Sequence, residues 1–283
     1  MEKPNAEVSP AVRYEWGRVR LTRFVDGWFT FEAPARQPDW SVPAYAPATD
    51  TARLDFAAYG LEVDGHRIIV DPWLVTDGAR QAPGATAHGD RLQRELDDAG
   101  FAAASVDLVI FTHLDGIGWS VCPGADGPVP MFPHARHVLT RSGMDAWRSG
   151  VIDGVDELAV LVDAGLVDEV ACDATVTPSV TLRPTEGHTA GHAVVQVRDP
   201  AGDLALAGHL VQLPSQVADP AEPTPGLDAV PGQAAVERRV LLADLARTGG
   251  VLFGQILGGC GGGAVIADGA GYRLVPRAGG HVA

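Results

Sequence analysis

The segment from Thr112 to Trp119 constrains this chain most, because it places metal-ligating side chains directly after an apolar strand. The preceding run, residues 106–111, is Val-Asp-Leu-Val-Ile-Phe, which is typical of a buried strand. The segment itself is Thr-His-Leu-Asp-Gly-Ile-Gly-Trp. We interpret it as a candidate metal-binding loop in which His113 and Asp115 are the potential ligands.

Strands and helices alternate along the chain and predict a single α/β domain over residues 1–283. Asp64-Gly65 lies between two apolar runs, 57–63 and 66–71, and favours a tight hairpin there. Helical spacing predicts one helix over 90–99 and another over 234–248.

Two further segments complete the predicted domain. Residues 1–50 are rich in proline and aromatic residues, and we expect an N-terminal arm that joins the sheet. Residues 214–232 are rich in proline and predict a loop or lid. The helix predicted over 234–248 carries apolar residues at helical spacing, at Val236, Val240, Leu241 and Leu245, and Gly249-Gly250 is expected to end it.

The net charge of −15 disfavours a nucleic acid partner, because it repels a phosphate backbone. The N-terminus lacks the apolar segment of a signal peptide, and no run approaches the roughly 18 apolar residues of a membrane span. We therefore expect a cytoplasmic protein without a membrane partner. The sequence leaves the oligomeric state open.

Several other motifs follow the same order as in one known superfamily. They are Val70-Asp71-Pro72-Trp73, the loop from Thr112, Phe132-Pro133-His134-Ala135-Arg136, Gly187-His188-Thr189-Ala190-Gly191-His192, Gly208-His209 and Phe253-Gly254-Gln255-Ile256. The set resembles the metallo-β-lactamase superfamily and is most similar to its lactonase-like branch. This resemblance implies a four-layer αββα sandwich.

The metal-binding motif of that superfamily is degenerate here. His113 and His188 match two histidines of its first metal site. The loop is two residues shorter, so that its second histidine is either deleted or replaced by Asp115. His209 stands where the superfamily has a bridging aspartate, and Ile256 stands where it has a distal histidine. The resemblance therefore implies that a paired-metal site is absent.

The candidate ligands that this resemblance implies leave three functions open. We expect a metal-free enzyme, without a cofactor, in which Asp115 and a histidine among His113, His188 and His209 perform acid/base chemistry. Its substrate would be a small activated carbonyl compound such as an ester, lactone or thioester, of the kind used in specialised metabolism. The alternatives are a mononuclear zinc hydrolase that uses the same three histidines and a ligand-binding protein without turnover.

Other residues receive secondary roles. Trp73, Trp119 and Ile256 are predicted to contact the substrate. His134 and His137 lie in a turn and at a strand edge and are expected to face solvent.

Overall fold

The structure is a computed structural model that describes residues 10–32, 51–72, 90–115, 120–153, 155–224, 226–258, 261–277 and 279–281. The chain divides into two compact units. The first comprises Met1–Trp28, Phe56–Cys172 and Gly279–Ala283, and the second comprises Phe29–Asp55 and Asp173–Ala278. Each unit is described by itself.

A mixed sheet lies mainly in the first unit. Its strands are β1 (Val12–Trp16), β2 (Val19–Glu32), β3 (Thr51–Val63), β4 (His66–Val70), β5 (Leu108–Ile110), β8 (Arg136–Thr140), β9 (Val167–Val170) and β16 (Gly280–His281). Within the described residues the order is β16-β1-β2-β3-β4-β5-β8-β9. A separate hairpin consists of β6 (Val121–Gly124) and β7 (Gly127–Pro130). The helices are α1 (Asp90–Asp98), α2 (Arg141–Arg148) and α3 (Leu158–Asp163).

The hairpin predicted at Asp64-Gly65 is confirmed. β3 and β4 pair antiparallel, with Val63 opposite His66. Asp64 and Gly65 both have positive φ, 53° and 81°, as the type of two-residue turn favoured by Asp-Gly requires. The hairpin fixes the position of β4, the strand that leads to Asp71.

Three neighbouring strands, β4, β5 and β8, run parallel to one another. Their carboxyl ends therefore share one edge of the sheet, and the residues that follow them are brought together. Asp71, just after β4, donates its backbone N–H to the carbonyl of Ile110 at the end of β5, at 3.0 Å. Behind this edge lies the apolar core of the unit, which includes Ile69, Val109 and Leu139.

A second mixed sheet belongs to the second unit. Its strands are β10 (Val180–Pro184), β11 (Ala193–Val197), β12 (Leu204–Leu206), β13 (Val251–Phe253), β14 (Gly262–Asp268) and β15 (Gly271–Val275). They are hydrogen-bonded in chain order. β12 and β13 are parallel, so their carboxyl ends also share an edge. The helices are α4 (Pro214–Ala218) and α5 (Pro231–Thr248).

Helix α5 confirms the helix predicted over 234–248, and it buries only two of the four apolar residues at helical spacing, Leu241 and Leu245. It ends at Gly249, whose φ of 70° is the left-handed conformation that glycine adopts readily. Val236 and Val240 are 59% and 44% exposed, whereas Arg238 is fully buried. The buried row of α5 is Ala234, Arg238, Leu241, Leu242 and Leu245.

The proline-rich segment 214–232 has more regular structure than the sequence predicts. It contains α4 and the first residues of α5, and each of these helices begins with a proline. Proline suits the first position of a helix, since the N–H it lacks has no partner within the helix there. Side chains in this segment, including Gln216 and Asp228, are buried. A lid function for it stays a prediction.

Among the described residues, the helices are all too short or too polar to cross a membrane.

Candidate metal centre

The first half of the site lies at the carboxyl ends of β4 and β5. Asp71 accepts two hydrogen bonds from Thr112, from the backbone N–H to Oδ1 and from the hydroxyl to Oδ2, both at 2.7 Å. Asp71 has a positive φ of 48°, an uncommon conformation for a residue other than glycine. Asp71 and Thr112 are buried, and together they fix the start of the His113 loop.

The Thr112 hydroxyl also determines how the His113 ring is protonated. Thr112 Oγ1 lies 2.8 Å from His113 Nδ1. Since the single hydroxyl proton is donated to Asp71, this oxygen accepts from Nδ1, which must carry a hydrogen. In the neutral ring Nε2 then carries a lone pair.

His113 Nε2 faces a carboxylate oxygen, Asp115 Oδ2, at 2.9 Å. A lone pair and an anionic oxygen at this separation repel each other unless a cation or a proton lies with them. The His113 side chain is 1% exposed, while that of Asp115 is 33% exposed. Nitrogen and oxygen donors of this kind suit a divalent metal such as zinc, so the pair fits a metal ion.

The second half of the site begins in the loop between β10 and β11, which carries His188. Two backbone hydrogen bonds connect this loop to the start of α5: Val230 N–H to the Gly187 carbonyl at 2.7 Å, and Ala229 N–H to the His188 carbonyl at 2.9 Å. Gly187 has a φ of 124°, and a β-carbon there would lie 2.5 Å from the backbone nitrogen of Ala234. Glycine is therefore required for the loop to reach α5.

His209 belongs to the turn that follows β12. Gly208 enters this turn with a φ of 50°, and its carbonyl accepts from Gln255 N–H, just after β13, at 3.2 Å. The rings of His188 and His209 meet edge to face, with centroids 5.3 Å apart and an interplanar angle of 75°. Both side chains are buried.

His188 Nδ1 is close to two polar groups. Asp228 Oδ1 lies 3.1 Å away and the side-chain nitrogen of Gln212 lies 3.3 Å away. Asp228 is also 3.5 Å from Arg238, and both of those side chains are fully buried. Burial lowers the pKa of Arg238, and the charge of Asp228 opposes this effect.

Together His113, Asp115, His188 and His209 form a donor set that can hold a metal ion. They are the four residues predicted to carry the chemistry. His113 and His209 each follow a strand whose carboxyl end is shared with a parallel neighbour, whereas His188 follows β10, which pairs antiparallel with β11.

Of the three predicted substrate contacts, Ile256 belongs to the part of the chain that the structure describes. Ile256 is 3% exposed and follows β13 at the sheet edge that also carries His209. Trp73 and Trp119 lie outside the described residues. A substrate role for these three residues stays a prediction.

Of the two histidines predicted to face solvent, His134 does and His137 does not. His137 is fully buried in β8 and stacks on Phe111 with ring centroids 6.2 Å apart. Burial lowers the pKa of His137 to about 4. The expectation was wrong because β8 is an inner strand of the sheet, between β5 and β9.

Solved structures similar to this chain cover nearly all of it. Hydrolase AbOPH of the beta lactamase superfamily matches with a TM-score of 0.74 and 17% identity, covering 96% of this chain and 99% of its own. AidC, a dizinc quorum-quenching lactonase, matches with a TM-score of 0.74 and 18% identity, covering 95% of this chain and 98% of its own. A probable metal-dependent hydrolase from Staphylococcus aureus has a TM-score of 0.67 and 13% identity over 86% of this chain and 91% of its own.

The chain therefore has the α/β fold of the metallo-β-lactamase superfamily, as predicted. Lactonases are among the structures that share this fold, so the expected likeness to the lactonase-like branch is confirmed at the level of the fold. No family model matches the sequence.

One curated protein is similar in sequence, the isonitrile lipopeptide synthase of Mycobacterium tuberculosis (strain ATCC 25618 / H37Rv). It is 31% identical over 198 residues, which are 68% of this chain and 7% of the synthase. This chain thus corresponds to a small segment of that relative.

The expectation that the protein has no cofactor is wrong. Its donor set of three histidines and an aspartate can hold a metal ion, and a dizinc lactonase is among the proteins that share its fold. The sequence suggested otherwise because ligands are missing from the motif, although Asp115 and His209 supply donors that the motif does not predict.

Proposed function

We propose that this protein is a metal-dependent hydrolase that binds one divalent metal ion, zinc being the first candidate, and cleaves a small activated acyl compound. The observation that carries the proposal is the donor set His113, Asp115, His188 and His209. Four donors suit one ion, while Ile256 stands in place of a further histidine and is a poor basis for a second.

A divalent ion held by these residues would supply Lewis acidity, which lowers the pKa of water and polarises a carbonyl. The protein's own side chains orient the ligands and exclude water. Thr112 and Asp71 hold the His113 ring in one orientation through hydrogen bonds of 2.8 and 2.7 Å. Buried histidines exclude bulk water from their side of the site, which strengthens electrostatic interactions there.

Asp115 has a distinct position among the four residues, because a third of its side chain is exposed while the three histidines are buried. A substrate arriving from solvent meets this carboxylate first. Its oxygens can accept a proton from water as the water adds to the carbonyl, and return it to the departing group. In the net reaction, water and an ester or thioester give a carboxylic acid and an alcohol or thiol.

The substrate class follows from charge and from the relatives. A net charge of −15 disfavours polyanionic substrates such as nucleic acids. Lactonases among the structures with this fold support a cyclic or open ester. The similarity to a segment of a lipopeptide synthase supports a fatty acyl ester or thioester from specialised metabolism.

Hydrolysis of a matched series of compounds tests this proposal. We expect purified protein loaded with zinc to hydrolyse an acyl thioester, an aryl ester or an acyl-homoserine lactone, and to lose that activity when the metal is chelated and regain it when zinc is restored. Asp115→Asn should reduce kcat by about 100-fold or more, because the carboxamide cannot take up a proton and is also a weaker, uncharged donor to the metal.

His134→Ala is the matched control, since His134 is exposed and outside the donor set. Hydrolysis that continues undiminished in chelator would contradict the proposal. Ligand-dependent thermal stabilisation without turnover of any compound in the series would favour a binding protein instead.

A further inference from the structure

We infer that Asp228, backed by Arg238, is a positioning residue that fixes the protonation of the His188 ring and thereby makes Nε2 its metal ligand. Both residues lie outside the sequence motifs on which the resemblance to the superfamily rests. This inference rests on the proposed metal site, but its central measurement is made on the metal-free protein.

The contact with Asp228 occupies one ring nitrogen of His188, Nδ1, and leaves the other for a metal. Asp228 Oδ1 lies 3.1 Å from His188 Nδ1. A carboxylate accepts only, so Nδ1 donates and carries the hydrogen. In the neutral ring the lone pair is then on Nε2. Hydrogen bonding of one ring nitrogen to a carboxylate is a common way to orient a metal-ligating histidine and to increase its basicity.

Burial strengthens the hydrogen bond between Asp228 and His188, and it also requires a positive charge near the Asp228 carboxylate. The Asp228 side chain is 0% exposed, and an unpaired carboxylate is costly to bury. Arg238 provides the compensating charge at 3.5 Å and is itself 0% exposed. Asp228 thus lies between a cation that stabilises its charge and a histidine that it orients.

Arg238 is held rigidly by the backbone around it. Its guanidinium donates to the carbonyls of Leu210 at 2.9 Å, Pro220 at 3.1 Å and Glu222 at 3.2 Å. Leu210 directly follows His209, so the same side chain braces the turn that carries the second histidine of this half-site. A fork of rigid donors suits this role better than a lysine ammonium would.

Gln212 offers the competing arrangement. Its side-chain nitrogen lies 3.3 Å from His188 Nδ1, and donation from it would require a lone pair on Nδ1 and the hydrogen on Nε2. That arrangement would remove His188 from the metal site. The contact to Asp228 is shorter and involves a charged acceptor, and such hydrogen bonds are roughly twice as strong as neutral ones. Asp228 therefore decides the protonation of the ring.

Long-range proton–nitrogen NMR correlation of ¹⁵N-histidine-labelled, metal-free protein shows which ring nitrogen of His188 carries the hydrogen. We expect His188 in the wild type to carry its hydrogen on Nδ1. Asp228→Leu removes the acceptor and should move the hydrogen to Nε2, as Gln212 becomes the donor. Asp228→Asn keeps an acceptor oxygen and should retain the wild-type form. A wild-type His188 protonated at Nε2 would overturn the inference.

Metal affinity provides the second readout, with a zinc titration against a chromophoric chelator. Asp228→Leu should weaken zinc binding by about 10- to 100-fold, and Asp228→Asn should weaken it less. Asp244→Asn is the matched control, because it makes the same change in α5, where Asp244 pairs with Arg183 at 3.0 Å and is 44% exposed. Equal zinc affinity in wild type and Asp228→Leu would also overturn the inference.

The two readouts separate this inference from the proposed function. If the wild type binds no zinc, the proposed metal site is refuted. The NMR spectrum still determines whether Asp228 fixes the position of the hydrogen on the His188 ring. If Asp228→Leu does not fold, the wild-type spectrum and the folded Asp228→Asn variant provide the decision.

Discussion

Single side chains orient the two best-defined histidines of this site, and they do so by different means. For His113 the partner is a neutral hydroxyl, Thr112, which is held in turn by Asp71. For His188 it is a buried carboxylate, Asp228. Both contacts are to Nδ1, which leaves Nε2 of each ring for a ligand. These partners belong to the site because they orient the histidine rings.

A histidine outside the site gives a prediction about pH. The pKa of His137 falls from 6.5 to about 4 because burial disfavours the charged ring. Between these values the unfolded chain binds a proton that the folded chain does not. Stability from this source is therefore complete above pH 6.5 and is lost as the pH falls to 4, by roughly 3 kcal/mol in total.

Urea unfolding at a series of pH values measures this loss. His137→Leu should show a smaller decrease in the free energy of unfolding than the wild type between pH 6.5 and 4. His134→Leu, a change at an exposed histidine, should follow the wild type. If His137→Leu loses as much stability as the wild type over this range, His137 is not the source of the pH dependence.

At the scale of elements, the His188 loop and the start of α5 depend on each other. Two backbone hydrogen bonds, of 2.7 and 2.9 Å, join them, and Gly187 lets the backbones approach. The same approach brings Asp228, three residues before α5, to the His188 ring. The position of one helix end therefore determines the geometry of half the site.

Gly187→Ala tests this dependence. Alanine at a φ of 124° is strained, and its β-carbon would meet the Ala234 nitrogen at 2.5 Å. We expect a loss of unfolding free energy in urea of about 1–3 kcal/mol from strain and about 1–3 kcal/mol more from overpacking.

Gly249→Ala, at the other end of α5, provides the comparison for strain alone. Gly249 has a φ of 70°, and a β-carbon added there would meet no other atom within 4 Å. Equal losses in the two variants would show that the close approach at Gly187 contributes nothing.

Local chemistry made some elements predictable. Asp64-Gly65 specifies its own turn, and Gly249 its helix end, because positive φ is required at these positions. The buried face of α5 was harder, since its sequence contains two overlapping rows. Val236 and Val240 are the more apolar choice, but tertiary packing buries the row that contains Arg238. Arg238 stands in this apolar row between Ala234 and Leu241. A charged residue in such a row was the sequence signal for a buried ion pair, here with Asp228.

At the scale of the whole molecule, the fold was predictable because ordered motifs extend along the chain. The same motifs pointed to four residues whose ligand atoms lie within 4.8 Å of one another, and the roles predicted for these residues stay predictions. The partners were not. Asp228 is separated from His188 by 40 residues, and only folding brings the two together. The expectation of no cofactor was wrong for a related reason: ligands were counted by position in a motif, whereas the capacity to bind a metal depends on which donors lie close together in space.

The number of metal ions per chain tests the central claim most directly. Mass-spectrometric metal analysis of purified, dialysed protein should give about one divalent ion per chain, the capacity expected of a single four-donor site. His113→Ala and His188→Ala should each abolish binding, because each removes a donor from a different half-site, while His134→Ala should leave it unchanged. Protein that binds no metal, binds two ions, or keeps its ion when either half-site is removed would contradict the account.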